Sequence, residues 1–347
     1  MKALLLSSYR HLEIAELPAP VPGQGEILVC VAACGICGSD VHGYDGSSGR
    51  RVPPIVMGHE AAGTVAALGA GVKQFSPGDR VTFDSTVSCG ACEYCLQGEI
   101  NLCDYRKVLG VSCGDYRRAG AFAEFIVVPE HICYRLPENL SFAEAAMLEA
   151  VSVALHAVSL SPIAPGQTAL VVGSGMIGLL TLQALRVAGC ARVFVTDIDT
   201  SRLSLATDLG ASAVLLATGA ELRSQVLDLT AGRGVDLAIE AVGISESVRS
   251  AVECVCKSGA VTLVGNISAD VTLPLQQVVT RQIRLQGSCA SAGEYPQAID
   301  LVASGRIQVK PLITAVAPLE DGPRWFERLY SREPNLMKVV LTPGATE

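Results

Sequence analysis

The sequence predicts a mixed α/β plus β architecture, in which a largely antiparallel β region precedes a doubly wound, parallel α/β region. Two patterns carry that expectation. Up to about residue 150 the chain is a series of short β-like runs (EILVCVAACG, GTVAALG, RVTF and FAEFIVVP) separated by Gly and Pro, as antiparallel strands joined by turns read. From Thr168 the pattern becomes strands alternating with helices: TALVVGSG, MIGLLTLQALRVAGC, RVFVTDI, TSRLSLATDLG, SAVLLA, VDLAIEAVG, a helix around 245–258, and AVTLVGNI. That spacing implies βαβ units on a parallel sheet. Between the two regions, SFAEAAMLEAVSVALHAVSL reads as one or two helices. After about residue 290 come two helix-like runs and a closing strand, KVVLTP, that returns to the first region. The expected boundaries are therefore 1–150, 151–288 and 289–347, with a cysteine lobe over 85–105.

At 347 residues the chain is long for one core and comfortable for two domains. Half of it is hydrophobic and 17% is charged, which argues against disorder and supplies a core for both faces of a sheet. The net charge of −8 argues against a nucleic-acid partner, which needs a basic face. No run of about 18 uncharged apolar residues indicates a membrane span. The opening MKALLLSSYRHLEIAEL is broken by Tyr9, Arg10, His11 and Glu13, so it reads as a first strand rather than a signal peptide. Thirteen cysteines, four of them clustered within 15 residues, point to metal in a reducing compartment, and a cytoplasmic location is expected.

The cluster is Cys89, Cys92, Cys95 and Cys103, spaced C-x2-C-x2-C-x7-C. Four thiolates on a tight loop match a closed tetrahedral zinc site, which leaves no place for water and is therefore structural. An iron–sulfur cluster is the alternative such a set allows.

A second constellation is dispersed. CGICGSDVH holds Cys34, Cys37, Ser39, Asp40 and His42; MGHE holds His59 and Glu60; MLEAVSVALH holds Glu149. Thiolate, imidazole and carboxylate together make a mixed ligand shell with room for water or substrate, the composition of a catalytic zinc site. Taken singly, each residue has an ordinary reading, a packed core histidine or a helix-terminal charge.

VVGSGMIG supplies Gly173, Gly175 and Gly178 as G-x-G-x-x-G between a buried strand and a helix. There the first glycine makes the turn, the second admits a pyrophosphate and the third lets helix and strand pack, with the helix N-terminus facing the negative charge. Asp197 ends the next strand, nineteen residues after Gly178. A carboxylate at that point accepts from ribose hydroxyls and repels a 2′-phosphate, which favours NAD over NADP. Asp199 is the neighbouring alternative, but Asp197 directly follows the apolar run. Arg202 reads equally as a cover for the adenine or as an exposed helical arginine. Met176 and Ile177 in the loop, and Val264 and Gly265 after the AVTL strand, complete the expected nucleotide-contacting set.

In their order along the chain, CGICGSDVH, MGHEAAGTV, the cysteine lobe, CYRLPENLSFAEAAMLEAVSVALHA and VVGSGMIGLL resemble the zinc-containing medium-chain alcohol dehydrogenases, over nearly the whole length. The branch most resembled holds sorbitol (L-iditol) dehydrogenase and related polyol dehydrogenases. The resemblance implies a GroES-like catalytic domain built from both ends of the chain, a Rossmann domain between them, and one catalytic and one structural zinc. It implies that Cys37 and His59 ligate zinc, that Cys34 does not, and that Glu60 and Glu149 ligate the metal or hold its water. It implies that Ser39 and His42 relay the proton of the alcohol, a role that suits an imidazole near neutral pH. Ala150 departs from the proline usual after the glutamate. Ala290 and Ser291 stand where sorbitol dehydrogenase has an Arg-Tyr pair, so sorbitol itself is expected to be a poor substrate. Arg50, Arg51, Arg117 and Arg118 are either anion holders or solvated loop charges. The expected activity is NAD-dependent oxidation of a secondary alcohol on a polyol or sugar derivative, by a homodimer or homotetramer. A diol, amino-alcohol or sugar-phosphate dehydrogenase is the alternative within the class, and a non-catalytic NAD-binding protein the alternative outside it.

Overall fold

A computed structural model describes residues 1–112 and 117–344, which fall into two compact units. The first comprises Met1–Glu149, Tyr295–Ala303 and Val309–Glu347; the second comprises Ala150–Glu294 and Ser304–Gln308.

The first unit is built on a sheet whose strands run, in spatial order, Cys133–Arg135, Arg80–Phe83, Glu60–Leu68, Glu26–Gly35, Lys338–Thr342 and Ile313–Pro318, with Phe125–Pro129 also paired to Glu26–Gly35. Most pairings are antiparallel, and Lys338–Thr342 runs antiparallel to Glu26–Gly35. The pair Ile313–Pro318 and Lys338–Thr342 is parallel, a departure from the antiparallel reading made possible by the helix Gly322–Tyr330 that joins them. Strand Glu26–Gly35 alternates half-buried with buried positions and places Ile27, Val29, Val31 and Ala33 inside. Phe83, Phe122 and Phe326 fill the same core.

The second unit is a six-stranded parallel sheet in the order Ala213–Leu215, Arg192–Thr196, Thr168–Val172, Val235–Glu240, Val255–Leu263 and Arg284–Gly287. In chain order this is 3-2-1-4-5-6, the doubly wound topology whose ligands bind beyond the carboxyl ends of the strands, where the order reverses. Thr168–Val172 is buried throughout, as a strand covered on both faces must be. One helix is shorter than the sequence indicates. It ends at Cys254, and Val255 opens the next strand with extended backbone. CVCKS is apolar enough to extend a helix, but pairing of Val255 with Val235 takes it into the sheet.

The helical stretch Phe142–Ser159 is apolar and long enough to cross a membrane by length and composition, the one such stretch among the described residues; 67% of it is buried within the chain, as in a core helix.

Candidate metal centres and nucleotide site

Cys37 and the adjacent pair His59–Glu60 converge from two segments. Cys37 lies just beyond strand Glu26–Gly35, immediately before the helix Gly38–Tyr44, and Glu60 opens the neighbouring strand directly opposite Gly35. One ligand atom from each of the three lies within 4.8 Å of the others. Gly35 leaves room for this carboxylate, because a Cβ at that position would stand 2.4 Å from a Glu60 carboxylate oxygen, which would have to move. His59 and Glu60 are buried, 6% and 1% exposed, with the His59 Nδ1 toward Asp40 and a Glu60 carboxylate oxygen on Lys338. Burial opposes a charged imidazole at His59, but Asp40 and the Cys37 sulfur outweigh it and raise the pKa well above the usual value. Glu149 is placed near this group but outside the tight cluster. It accepts a hydrogen bond from Ser85 Oγ at 3.2 Å, and burial raises its pKa, with a partial offset from His59. Cys34 is fully buried, and burial drives its thiol far up, as for a packed core cysteine.

Three charged residues around the cluster have no role in the motif reading. Lys338 donates to a Glu60 carboxylate oxygen and, at 3.2 Å, to the carbonyl of Ile36. Asp40, wholly buried, accepts the Cys37 N–H at 3.3 Å, and its other oxygen lies 3.4 Å from His59 Nδ1. Burial opposes its ionisation, yet His59 and Arg51 hold its carboxyl well below the usual range. Arg51 completes the group with an ion pair to Asp40 at 2.9 Å. The chemistry of the donor set fits zinc: a thiolate, an imidazole and a carboxylate held by buried counter-charges, with a second carboxylate close by.

The lobe has a different character. Cys89, Cys92, Cys95 and Cys103 bring four sulfurs within 4.8 Å of one another, the arrangement a closed tetrahedral zinc site needs. The N–H groups of Ala91 and Cys92 point at Cys89 Sγ at 3.4 and 3.3 Å and lower its pKa to about 6. Burial and the neighbouring sulfur of Cys92 push Cys95 up to about 12. The lobe has little core of its own, with Leu96 and Tyr105 76% and 72% exposed, so its fold depends on the sulfur cluster.

In the second unit the glycine loop has the expected shape. Gly173 adopts φ +96°, and a Cβ at Gly178 would lie 1.8 Å from the Gly173 carbonyl oxygen, which leaves no room for a side chain. Above Gly175, which precedes helix Met176–Val187, a Cβ would meet nothing within 4 Å, leaving open space for a phosphate to approach the backbone. Asp197 accepts from the Ser174 N–H at 2.6 Å and from its hydroxyl at 2.8 Å, so it is fixed beside the loop. Asp199 instead caps the next helix and pairs with Arg202 at 3.5 Å. Gly265 packs against a second loop, where a Cβ would stand 2.2 Å from Gly243 N, while Val264 is half-buried beside it.

Comparison with known proteins agrees with this geometry. Residues 23–138 match the alcohol dehydrogenase GroES-like domain, and residues 177–304 the zinc-binding dehydrogenase family. The sorbitol dehydrogenase of Bacillus subtilis is 34% identical over 99% of this chain and 98% of its own. The chain belongs to the zinc-dependent medium-chain alcohol dehydrogenases. D-xylulose reductase A of Aspergillus oryzae is also 34% identical, over 94% of this chain and 93% of its own. A zinc-binding dehydrogenase from Sinorhizobium meliloti, solved with NADP bound, superposes with a TM-score of 0.90 at 32% identity, over 99% of each chain. This dehydrogenase is thus an oxidoreductase that uses zinc and a nicotinamide dinucleotide, NAD(P).

The remaining expected residues of this dehydrogenase fall as follows. Ser39 and His42 sit three apart on helix Gly38–Tyr44, on one face, and both are exposed. Ala290 has φ +51° and Ser291 is buried. Of the four arginines weighed as anion holders, Arg50 is exposed, Arg117 bonds the Pro54 carbonyl and Arg118 bonds Glu26. Arg51 is neither an exposed loop charge nor an anion holder: it is buried against Asp40. Lys338 lay beyond any motif, because its partner Glu60 is 278 residues away. Asp40 stood in the motif, but its bridge between Arg51 and His59 depends on the tertiary fold.

Proposed function

We propose that this dehydrogenase oxidises a secondary hydroxyl of an open-chain polyol or related sugar derivative to a ketone, with NAD as hydride acceptor. The observation that carries the reading is the mixed cluster of Cys37, His59 and Glu60 with Glu149 beside it. Cys37 and His59 are its zinc ligands, with Glu60 or Glu149 as the third. A carboxylate is a harder ligand than a second thiolate, which favours a hydroxyl-rich substrate over a small primary alcohol. The names of the relatives, sorbitol dehydrogenase and D-xylulose reductase, support the same class.

When bound, zinc would supply Lewis acidity at the reacting oxygen and the dinucleotide would accept the hydride. The chain's own residues do the rest. Ser39 accepts the proton of the substrate hydroxyl, and His42, one turn further along the helix, passes it to solvent. Lys338 offsets the charge of Glu60. Gly173, Gly175, Met176, Ile177 and Gly178 would hold the pyrophosphate, and Val264 and Gly265 would contact the dinucleotide. Asp197, fixed by Ser174, would accept from the ribose hydroxyls, and Arg202, paired with Asp199, would be available to cover the adenine. The lobe cysteines hold a structural zinc.

We read residues 1–150 and 289–347 as the catalytic domain and 151–288 as the nucleotide domain, although Ala150, 289–294 and 304–308 pack with the second unit. Strand Arg284–Gly287 pairs with Val255–Leu263 and forms an edge of its sheet, its outer side without a strand partner among the described residues, and exposed Leu275 and Val279 stand nearby in sequence, which supports a homodimer or homotetramer. Every described cysteine is a free thiol, which supports the cytoplasm as its compartment.

The test is an NAD-reduction screen across sugar alcohols, sugar acids, their phosphates, diols, threonine and ethanol. The reading expects the highest kcat/KM on a five- or six-carbon polyol or a derivative of one. A maximum on ethanol or another simple primary alcohol refutes it.

A further inference from the structure

Arg51 is 3% exposed, yet its Nε is buried without a hydrogen-bond partner. Folding alone gives no reason to bury a guanidinium on such terms. Its Nη2 donates to Asp40 Oδ1 at 2.9 Å and to Ser39 Oγ at 3.1 Å. Its stem packs against Gly43, where a Cβ would lie 2.5 Å from Arg51 Cγ, so the helix bearing Ser39 and His42 rests on this side chain.

The decisive feature is a shared acceptor. Asp40 Oδ1 is also the carboxylate atom that faces His59 Nδ1, at 3.4 Å, and that nitrogen forms no hydrogen bond. Asp40 Oδ2 is turned to the Cys37 N–H. The arginine has taken the oxygen that the imidazole would use. A carboxylate bonded to the outer nitrogen of a ligating imidazole raises its basicity and tightens its hold on a metal. A guanidinium on the same oxygen draws that charge away.

We propose that Arg51 is a positioning residue that tunes the metal centre. By occupying Asp40 it keeps His59 a weaker donor, so the metal is bound less tightly and stays a stronger Lewis acid. By donating to Ser39 Oγ it fills one lone pair and orients the hydroxyl, giving the proton relay a fixed direction. The inference rests on the reading that Cys37 and His59 hold zinc.

The experiment compares the zinc-loaded wild type with Arg51→Met and Arg51→Lys. It measures total zinc, the rate at which a chelator removes the first zinc equivalent, thermal midpoint, and kcat and KM for the best alcohol. In Arg51→Met the first zinc should leave about tenfold more slowly and kcat should fall by about tenfold or more, the scale of changes beyond the ligand shell, with a smaller change in KM. A lysine donates from a single point and holds Asp40 or Ser39 but not both, so Arg51→Lys should lie between the two. Zinc leaving folded Arg51→Met faster than wild type, or at the same rate with unchanged kcat, overturns the proposal. If Arg51→Met does not fold, Arg51→Lys decides, and wild-type kcat with wild-type zinc release in that variant overturns it. A wild type that holds zinc only at the lobe refutes the underlying metal reading instead, and total zinc tells the two failures apart.

Discussion

The two sulfur-bearing centres of the first unit solve different problems with the same chemistry. In the lobe all four donors are thiols on one short segment, the surroundings are exposed, and the cluster takes the place of a hydrophobic core. In the buried centre one thiol is joined by an imidazole and a carboxylate that are neighbours on a second segment, and Lys338 and Arg51 balance the acidic groups. A uniform, closed donor set makes stability. A mixed set with buried counter-ions leaves a position for chemistry and sets how strongly the metal acts.

That contrast is broken first at the lobe. Replacing Cys103 with Ser removes one of four ligands from a segment with little core, and the thermal midpoint should fall by about 10 °C or more, since closed zinc sites contribute folding energy directly. Differential scanning fluorimetry checks this. A variant with an unchanged midpoint but lost catalysis would reverse the assignment of the two centres.

Proton release on metal binding sharpens the comparison. In the metal-free lobe the Cys89 thiol, at about 6 through the N–H groups of Ala91 and Cys92, is already largely thiolate at neutral pH, whereas Cys95, at about 12, is protonated. Zinc must therefore displace the Cys95 proton at any pH below about 12, so lobe affinity rises with pH across the neutral range. As pH falls through about 6, Cys89 also becomes protonated and the dependence steepens. Zinc titrations of metal-free protein between pH 5.5 and 8, with released protons counted in weak buffer, should show this. A pH-independent affinity would show that the thiols are not the ligands.

The smallest expected effect lies in the other unit. Asp197→Ala removes the carboxylate fixed by Ser174, and the ratio of NAD to NADP efficiency should fall by about tenfold, one to two hydrogen bonds' worth of discrimination. A wild type that already prefers NADP would show that Asp197 does not set the choice.

Much of this was legible in the sequence because the residues concerned are local. The lobe thiols, the glycine loop and the pairs Cys37–Ser39 and His59–Glu60 each sit within one short segment whose spacing reports its own geometry. The counter-charges are the reverse case. Lys338 reaches Glu60 only because its strand pairs with Glu26–Gly35, and Arg51 read as a loop charge because nothing local shows that it folds under the helix at Gly43. Val255 likewise changed from helix to strand through a long-range pairing. Sequence patterns report local clusters of candidate donors. They do not report the distant groups that set a donor's strength.

The central claim, that the buried mixed centre holds the catalytic metal and the lobe a structural one, is tested most directly by graded chelation with zinc content, activity and thermal midpoint followed together, on wild type and His59→Ala. Wild type should start close to two zinc ions per chain and lose activity in step with the first, while the midpoint holds until the second leaves. His59→Ala should start close to one zinc, inactive by more than about a hundredfold yet folded and still binding NAD. Retention of about a tenth of the wild-type rate after the first zinc is gone, or in His59→Ala, would contradict the account.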